Sequence, residues 1–123
     1  QAFILKEDFP QLAFISLSEA EEVWSGQKAV FVDSRSREEF NRGHIPGAIS
    51  IPLEDLKNGQ EDLLTRIFAS PEIVIYCEGG DCQASLNLAR ILDSRGFKKL
   101  KIFLGGWAEW MQSGLPVETN AEE

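Results

Sequence analysis

The sequence predicts an α/β fold, a mostly parallel central sheet with helices on both faces. Three observations carry that prediction. Ala29-Val30-Phe31-Val32 and Ile73-Val74-Ile75-Tyr76 are apolar runs without polar alternation, the pattern of strands buried on both faces. Helical patterns separate such runs, two of them opened by Ser-x-x-Glu boxes. The length of 123 residues, 43% of them hydrophobic and 26% charged, fits one domain able to bury its own core.

Taken in chain order, Phe14-Ile15 is a short strand, and Ser18-Glu19-Ala20-Glu21 reads as a capping box opening a helix that closes near Ser25-Gly26. After the 29–32 strand, Ser36-Arg37-Glu38-Glu39 is a second box, starting a short helix stopped by Gly43. Ile49-Ser50-Ile51 is a short strand ended by Pro52, and residues 61–69 have an amphipathic helical pattern. The 73–76 strand leads into Cys77-Glu78-Gly79-Gly80-Asp81-Cys82 and then a helix over 83–95. That helix carries Leu88, Ala89 and Leu92 on one face and Gly96 as its stop. Lys101-Ile102-Phe103-Leu104 is the last strand, Gly105-Gly106 a turn, and 107–113 the last helix. No repeat or linker interrupts the chain; residues 118–123 form an acidic run expected to be solvated, with 119–123 expected to fray.

Charge narrows the function classes. With 20 acidic and 12 basic residues the net charge is −8, which repels phosphate backbones and anionic lipid, so no nucleic-acid partner is expected. No apolar run reaches the roughly 18 residues of a membrane span. The chain opens on Gln1, which leaves room for a removed leader or an attached membrane segment. Two cysteines are too few for a disulfide framework, and the lone His44 is too little for a structural zinc site, so no metal is expected.

In open α/β sheets ligands bind beyond the carboxyl ends of the strands. Two polar clusters fall there, Asp33-Ser34-Arg35 after one strand and the Cys77 loop after another, and the topology puts both on one rim. A cysteine at a strand end, followed by Gly79-Gly80 and a helix, suits a sulfur nucleophile. The glycines let backbone N–H groups turn inward, and the helix N-terminus favours a thiolate or anionic adduct. The competing reading of Cys77 as a small buried hydrophobe fits a strand end before two glycines less well.

At this point the chain resembles the rhodanese (sulfurtransferase homology) domain, over residues 16–117. The motifs that carry the resemblance are Asp33-Ser34-Arg35, Glu38-Glu39-Phe40 and Gly43-His44-Ile45-Pro46-Gly47-Ala48. Toward the C-terminus, Leu104-Gly105-Gly106-Trp107, Trp110 and Gly114-Leu115-Pro116-Val117 complete the pattern. The resemblance implies that Cys77 takes a sulfane sulfur from a donor, holds it as a persulfide without a cofactor, and passes it to a nucleophilic acceptor. It also implies a substrate-binding loop of Glu78, Gly79, Gly80, Asp81, Cys82 and Gln83. Relatives with a longer loop and second cysteine are sometimes attached to membrane segments, which leaves the compartment open between cytoplasm and periplasm; a monomer is expected.

The loop departs from the family pattern. Glu78 follows the cysteine where an Arg is usual, Cys82 stands where a late-loop Arg is expected, and position 83 is Gln, which removes the Cys-x₅-Arg phosphate cradle of related phosphatases. A carboxylate about 6 Å from the sulfur opposes a thiolate by about 2.8 kcal/mol at an effective dielectric near 20, and by about 0.7 kcal/mol in open water. A helix N-terminus returns about 0.3–1 kcal/mol, or about 2 kcal/mol when partly buried. Small dianions such as thiosulfate are therefore expected to be poor donors, and neutral or protein-borne persulfides better ones. These departures keep a second class open: a catalytically silent module that binds a partner or senses redox state through a Cys77–Cys82 disulfide. Cys82 itself reads equally as a resolving cysteine and as a packed residue at the helix start.

Among the supporting residues, Asp33 is read as structural, its carboxylate accepting backbone N–H groups. Arg35 either pairs with Glu38 or Glu39 or contacts substrate. Ser85 either donates toward the loop or caps the helix. His44 belongs to a rigid turn rather than to a Cys–His dyad, and Trp107 and Trp110 to the core.

Overall fold

The computed structural model describes residues 12–70, 72–80 and 83–120. Five strands, β1 (Leu12–Ile15), β2 (Val30–Asp33), β3 (Ile49–Ser50), β4 (Ile73–Tyr76) and β5 (Leu100–Phe103), form one sheet in the order β1-β5-β4-β2-β3. Every pairing in it is parallel. The helices are α1 (Leu17–Ser25), α2 (Arg37–Arg42), α3 (Leu53–Lys57), α4 (Ala84–Ser94) and α5 (Gly106–Gln112), with a 3₁₀ segment at Glu61–Ile67.

Successive side chains of a strand point to opposite faces, and both faces here are covered. Val32, Ile73, Ile75, Leu100 and Ile102 pack on one side against Leu56 of α3, Ile67 of the 3₁₀ segment and Leu88 and Leu92 of α4. Phe31, Val74, Tyr76 and Phe103 pack on the other against Ala20 of α1, Phe40 of α2 and Trp107 and Trp110 of α5. That is why β4 carries no charged residue: all four of its side chains are buried.

Several boundaries differ from the sequence expectation. The first capping box closes on Ser16 and Glu19 rather than on Ser18 and Glu21. Starting at Leu17 sets Leu17, Ala20 and Trp24 at helical spacing toward the sheet. The second box, Ser36 with Glu39, and the stop at Gly43 stand as expected. Residues 61–69 do not form an α-helix; the buried Leu64 and Ile67 are three apart, which suits the three-residue turn of the 3₁₀ segment. Helix α3 was not anticipated, since five residues between Pro52 and Asn58 are too few to display a period.

Residues 118–120 are exposed as expected, but the fraying expected from 119 onward is corrected through residue 120. Glu118 forms an antiparallel bridge with His44, its N–H donating to the His44 carbonyl at 2.9 Å and its carbonyl accepting from the His44 N–H at 2.8 Å. The Asn120 N–H donates to the Asn41 carbonyl at 2.9 Å. The segment after α5 is thus pinned across the α2 region through residue 120, and residues 121–123 lie outside the described residues.

Candidate active site

Strands β2 and β4 are neighbours in register, Asp33 opposite Tyr76, so the residues following each meet on one rim. Ser34 ties the two ends together: its N–H and its hydroxyl both donate to the Tyr76 carbonyl, at 3.0 and 2.9 Å. Asp33, fully buried, accepts from the Arg35 backbone N–H (2.9 Å), Nε (3.0 Å) and Nη2 (2.7 Å). The structural reading of Asp33 stands. Of the two readings of Arg35, the pairing with Glu38 or Glu39 is corrected: its partners are Asp33, the Gly43 carbonyl at 2.6 Å and Glu78 at 3.5 Å. The guanidinium also lies over the Trp107 ring, 5.1 Å from its centroid. Helix α2 begins with Glu39 turned to its own cap, accepting from the Ser36 N–H, and Arg35 turns inward instead. Burial works against the Arg35 charge, but the hydrogen bonds and field of Asp33 outweigh it and hold the guanidinium firmly protonated. The buried Tyr76 phenol is pushed well above its ordinary value by desolvation and by Asp33, and its oxygen accepts from the Ile45 N–H.

Cys77 follows β4 and is 3% exposed. Rather than emerging from the sheet, it sits at the floor of a cavity of about 390 Å³ bounded by Ser34, Arg35, Glu78 and Ala84, with residues of α2 and α3 as its far wall. Ser85, buried in the first turn of α4, places its Oγ 3.8 Å from the Cys77 sulfur. Cys77 is disulfide-bonded in this structure, so the hydroxyl is the donor to sulfur. Ser85 thus faces the Cys77 sulfur and does not cap; the cap position of α4 is Gln83, which is exposed and makes no side-chain cap bond. Asp81 and Cys82 lie outside the described residues.

The backbone of the loop is fastened to the start of α5. The Cys77 and Glu78 carbonyls accept from the Trp107 and Ala108 N–H groups, each at 2.8 Å. This close approach needs glycine on both sides. A Cβ at Gly106, where φ is +62°, would sit 2.4 Å from the Cys77 carbonyl oxygen, and one at Gly79, where φ is +134°, would sit 2.5 Å from that of Gly105. Gly80 also takes positive φ, +67°. The sequence marked Gly105-Gly106 only as a turn; two glycines directly after a strand on the functional rim were the available signal. The lining residues contributed by α3, Glu54 and Asp55, were missed with that helix.

The Glu78 side chain is about half exposed, and it lines the cavity. His44 is not part of the site. Its ring stacks on Phe40, its Nδ1 meets the Phe40 carbonyl at 2.7 Å, and its Nε2 meets Glu118 at 3.2 Å. Trp107 and Trp110 are buried as expected. Among the described residues no group of three or more His, Cys, Asp or Glu could hold a metal, and no helix is long and apolar enough to cross a membrane.

Comparison with known proteins agrees with this geometry. The family model of the rhodanese-like domain matches residues 16–113. An HTH-type transcriptional regulator of Mycobacterium tuberculosis, Rv0324, is 37% identical over 76% of this chain, and the chain spans 39% of that regulator's length. The human thiosulfate:glutathione sulfurtransferase is 28% identical, over 80% of this chain and 92% of the human protein. The crystal structure of BH2092 from Bacillus halodurans superposes with a TM-score of 0.77 at 26% identity, covering 88% of this chain and 77% of that one. Sulfurtransferases are thus among the relatives of a chain that belongs to the rhodanese-like domain family.

Proposed function

We propose that this domain is a sulfurtransferase or sulfur carrier working through a persulfide on Cys77. The observation that carries the reading is the position of the sulfur: at the carboxyl end of a central parallel strand, on the floor of a cavity, beside a buried hydroxyl and ahead of α4. The Cys77 thiolate attacks the outer sulfur of a donor R–S–SH and R–S⁻ leaves, giving Cys77–S–SH. An acceptor thiolate then attacks that outer sulfur and regenerates the Cys77 thiolate. The α4 N-terminus and the Ser85 hydroxyl supply stabilisation for the anionic sulfur at each stage. No cofactor enters this scheme. The names borne by relatives speak for sulfur transfer, and the acidic loop speaks for neutral or protein-borne persulfides as donors.

The test is direct. After reduction, the protein is incubated with a panel of sulfur donors and its intact mass is measured. A gain of one sulfur that disappears in Cys77→Ser supports the proposal; no gain from any donor overturns it.

The disulfide-bonded state of Cys77 favours a second reading, a redox module. A Cys82 thiolate attacking the inner sulfur of the Cys77 persulfide would release HS⁻ and close a Cys77–Cys82 disulfide, without any other oxidant. Under this reading mild oxidation removes two hydrogens from the mass and blocks sulfur loading. Retention of both thiols under a low-molecular-weight disulfide would refute it.

A further inference from the structure

The half-exposed carboxylate beside Cys77 stands between two cavities. On one side is the Cys77 cavity; on the other is a second, of about 320 Å³, bounded by Arg42, Gly43, Trp107 and Met111. Arg35, Glu39 and Glu78 line both. Of the two members of the dividing ion pair, Arg35 is immobilised by Asp33, the Gly43 carbonyl and the Trp107 ring. Glu78 reaches Arg35 through one contact of 3.5 Å. Its side chain is therefore the part of the wall able to move.

The charge of the Cys77 cavity adds to this. Its ionisable lining is Arg35 and Arg37 against Glu39, Glu54, Asp55 and Glu78. Both cations are already engaged, Arg35 by Asp33 and Glu78, and Arg37 by Asp55 at 3.7 Å. An anion entering the cavity meets four carboxylates and no cation among the lining residues that lacks an acidic partner.

We propose that Glu78 is the specificity-determining residue of this site: a movable carboxylate that divides the two cavities and selects against anionic reagents at the Cys77 sulfur. The inference deepens the sulfur-transfer reading and rests on it for the identity of the natural substrate. A repulsive element of this kind gives discrimination without a new attractive contact.

The filter can be read without any sulfur donor. In a Cys82→Ser background, reduced protein is alkylated with neutral iodoacetamide and with anionic iodoacetate, and the two second-order rates are expressed as a ratio. A change in the Cys77 thiolate population affects both reagents alike and cancels in the ratio, whereas a change in local charge does not. Removing one negative charge about 6 Å from the sulfur, even at the dielectric of water, raises the anionic rate by about 3-fold. Glu78→Gln is therefore expected to raise the iodoacetate-to-iodoacetamide ratio by about 3-fold or more at low salt. Glu78→Lys should raise it by about 10-fold, and molar salt should compress both differences. An unchanged ratio in Glu78→Gln and Glu78→Lys would overturn the proposal. So would equal acceleration of both reagents, which marks a steric plug and not a charge filter. Because alkylation needs only a thiol, a positive filter with no persulfide loading from any donor would sink the sulfur-transfer reading alone.

Discussion

Arg35 shows how one side chain can hold a site together. Its guanidinium is buried with Asp33, and together they brace the Gly43 carbonyl, the Trp107 ring and Glu78. Breaking a buried pair by removing one partner leaves an uncompensated charge and costs about 3–5 kcal/mol. Arg35→Met is accordingly expected to lower the unfolding free energy measured in urea by that amount, and an unchanged value would contradict the account. Ser85 acts at the same scale with a different readout. A hydrogen bond to a charged group contributes about 1.5–3 kcal/mol. Ser85→Ala should therefore slow sulfur loading of reduced Cys77 by about tenfold or more while the thermal midpoint stays within a few degrees. Equal loading rates would remove the hydroxyl from the mechanism.

At the scale of elements, the Cys77 loop and α5 are one unit. Gly106 permits the carbonyls of Cys77 and Glu78 to meet the Trp107 and Ala108 N–H groups. Gly106→Ala forces both a positive φ and a Cβ into the Cys77 carbonyl, so the loop or the helix must shift. A loss of about 1–3 kcal/mol is expected from the backbone strain, together with loss of sulfur loading, measured by urea unfolding and intact mass. Full loading in that variant would show that the fastening is dispensable. Elements were legible in the sequence where their signal is local. The 73–76 strand, the Ser36–Glu39 box and the face of α4 appear in the structure as read. Helix α3 and the 3₁₀ segment were misread because each depends on a few buried contacts, Leu53 and Leu56 or Leu64 and Ile67, not on a sustained period.

At the scale of the whole molecule, the segment after α5 closes the fold across α2. Glu118 accepts from the Gly47 N–H at 2.9 Å and meets His44 at 3.2 Å. The Gly47 hydrogen bond first, then His44, holds its carboxyl below the ordinary glutamate value of 4.5. A carboxyl depressed on folding contributes stability above its unfolded value and loses it as the pH falls through the folded one. Glu118→Gln is thus expected to be less stable than the wild type at pH 7, with the gap closing as the pH drops below 4.5. Urea titrations at both ends of that range check it; a gap that persists at low pH would mean the carboxylate charge is not what matters.

The sequence by itself determined the parallel α/β architecture, the capping of α2, and the placement of the Asp33 and Cys77 clusters on one rim. Those features follow from local patterns of apolar residues, caps and glycines, read over a few neighbours along the chain. Only the tertiary structure decided that Arg35 serves Asp33 and Glu78, that Gly106 meets Cys77, and that Glu118 is a clamp where a free tail was expected. Each of the last two joins positions about 30 or more residues apart, as does the Arg35–Glu78 pair, and such pairings arise from packing across the sheet, which leaves no periodic trace in the chain.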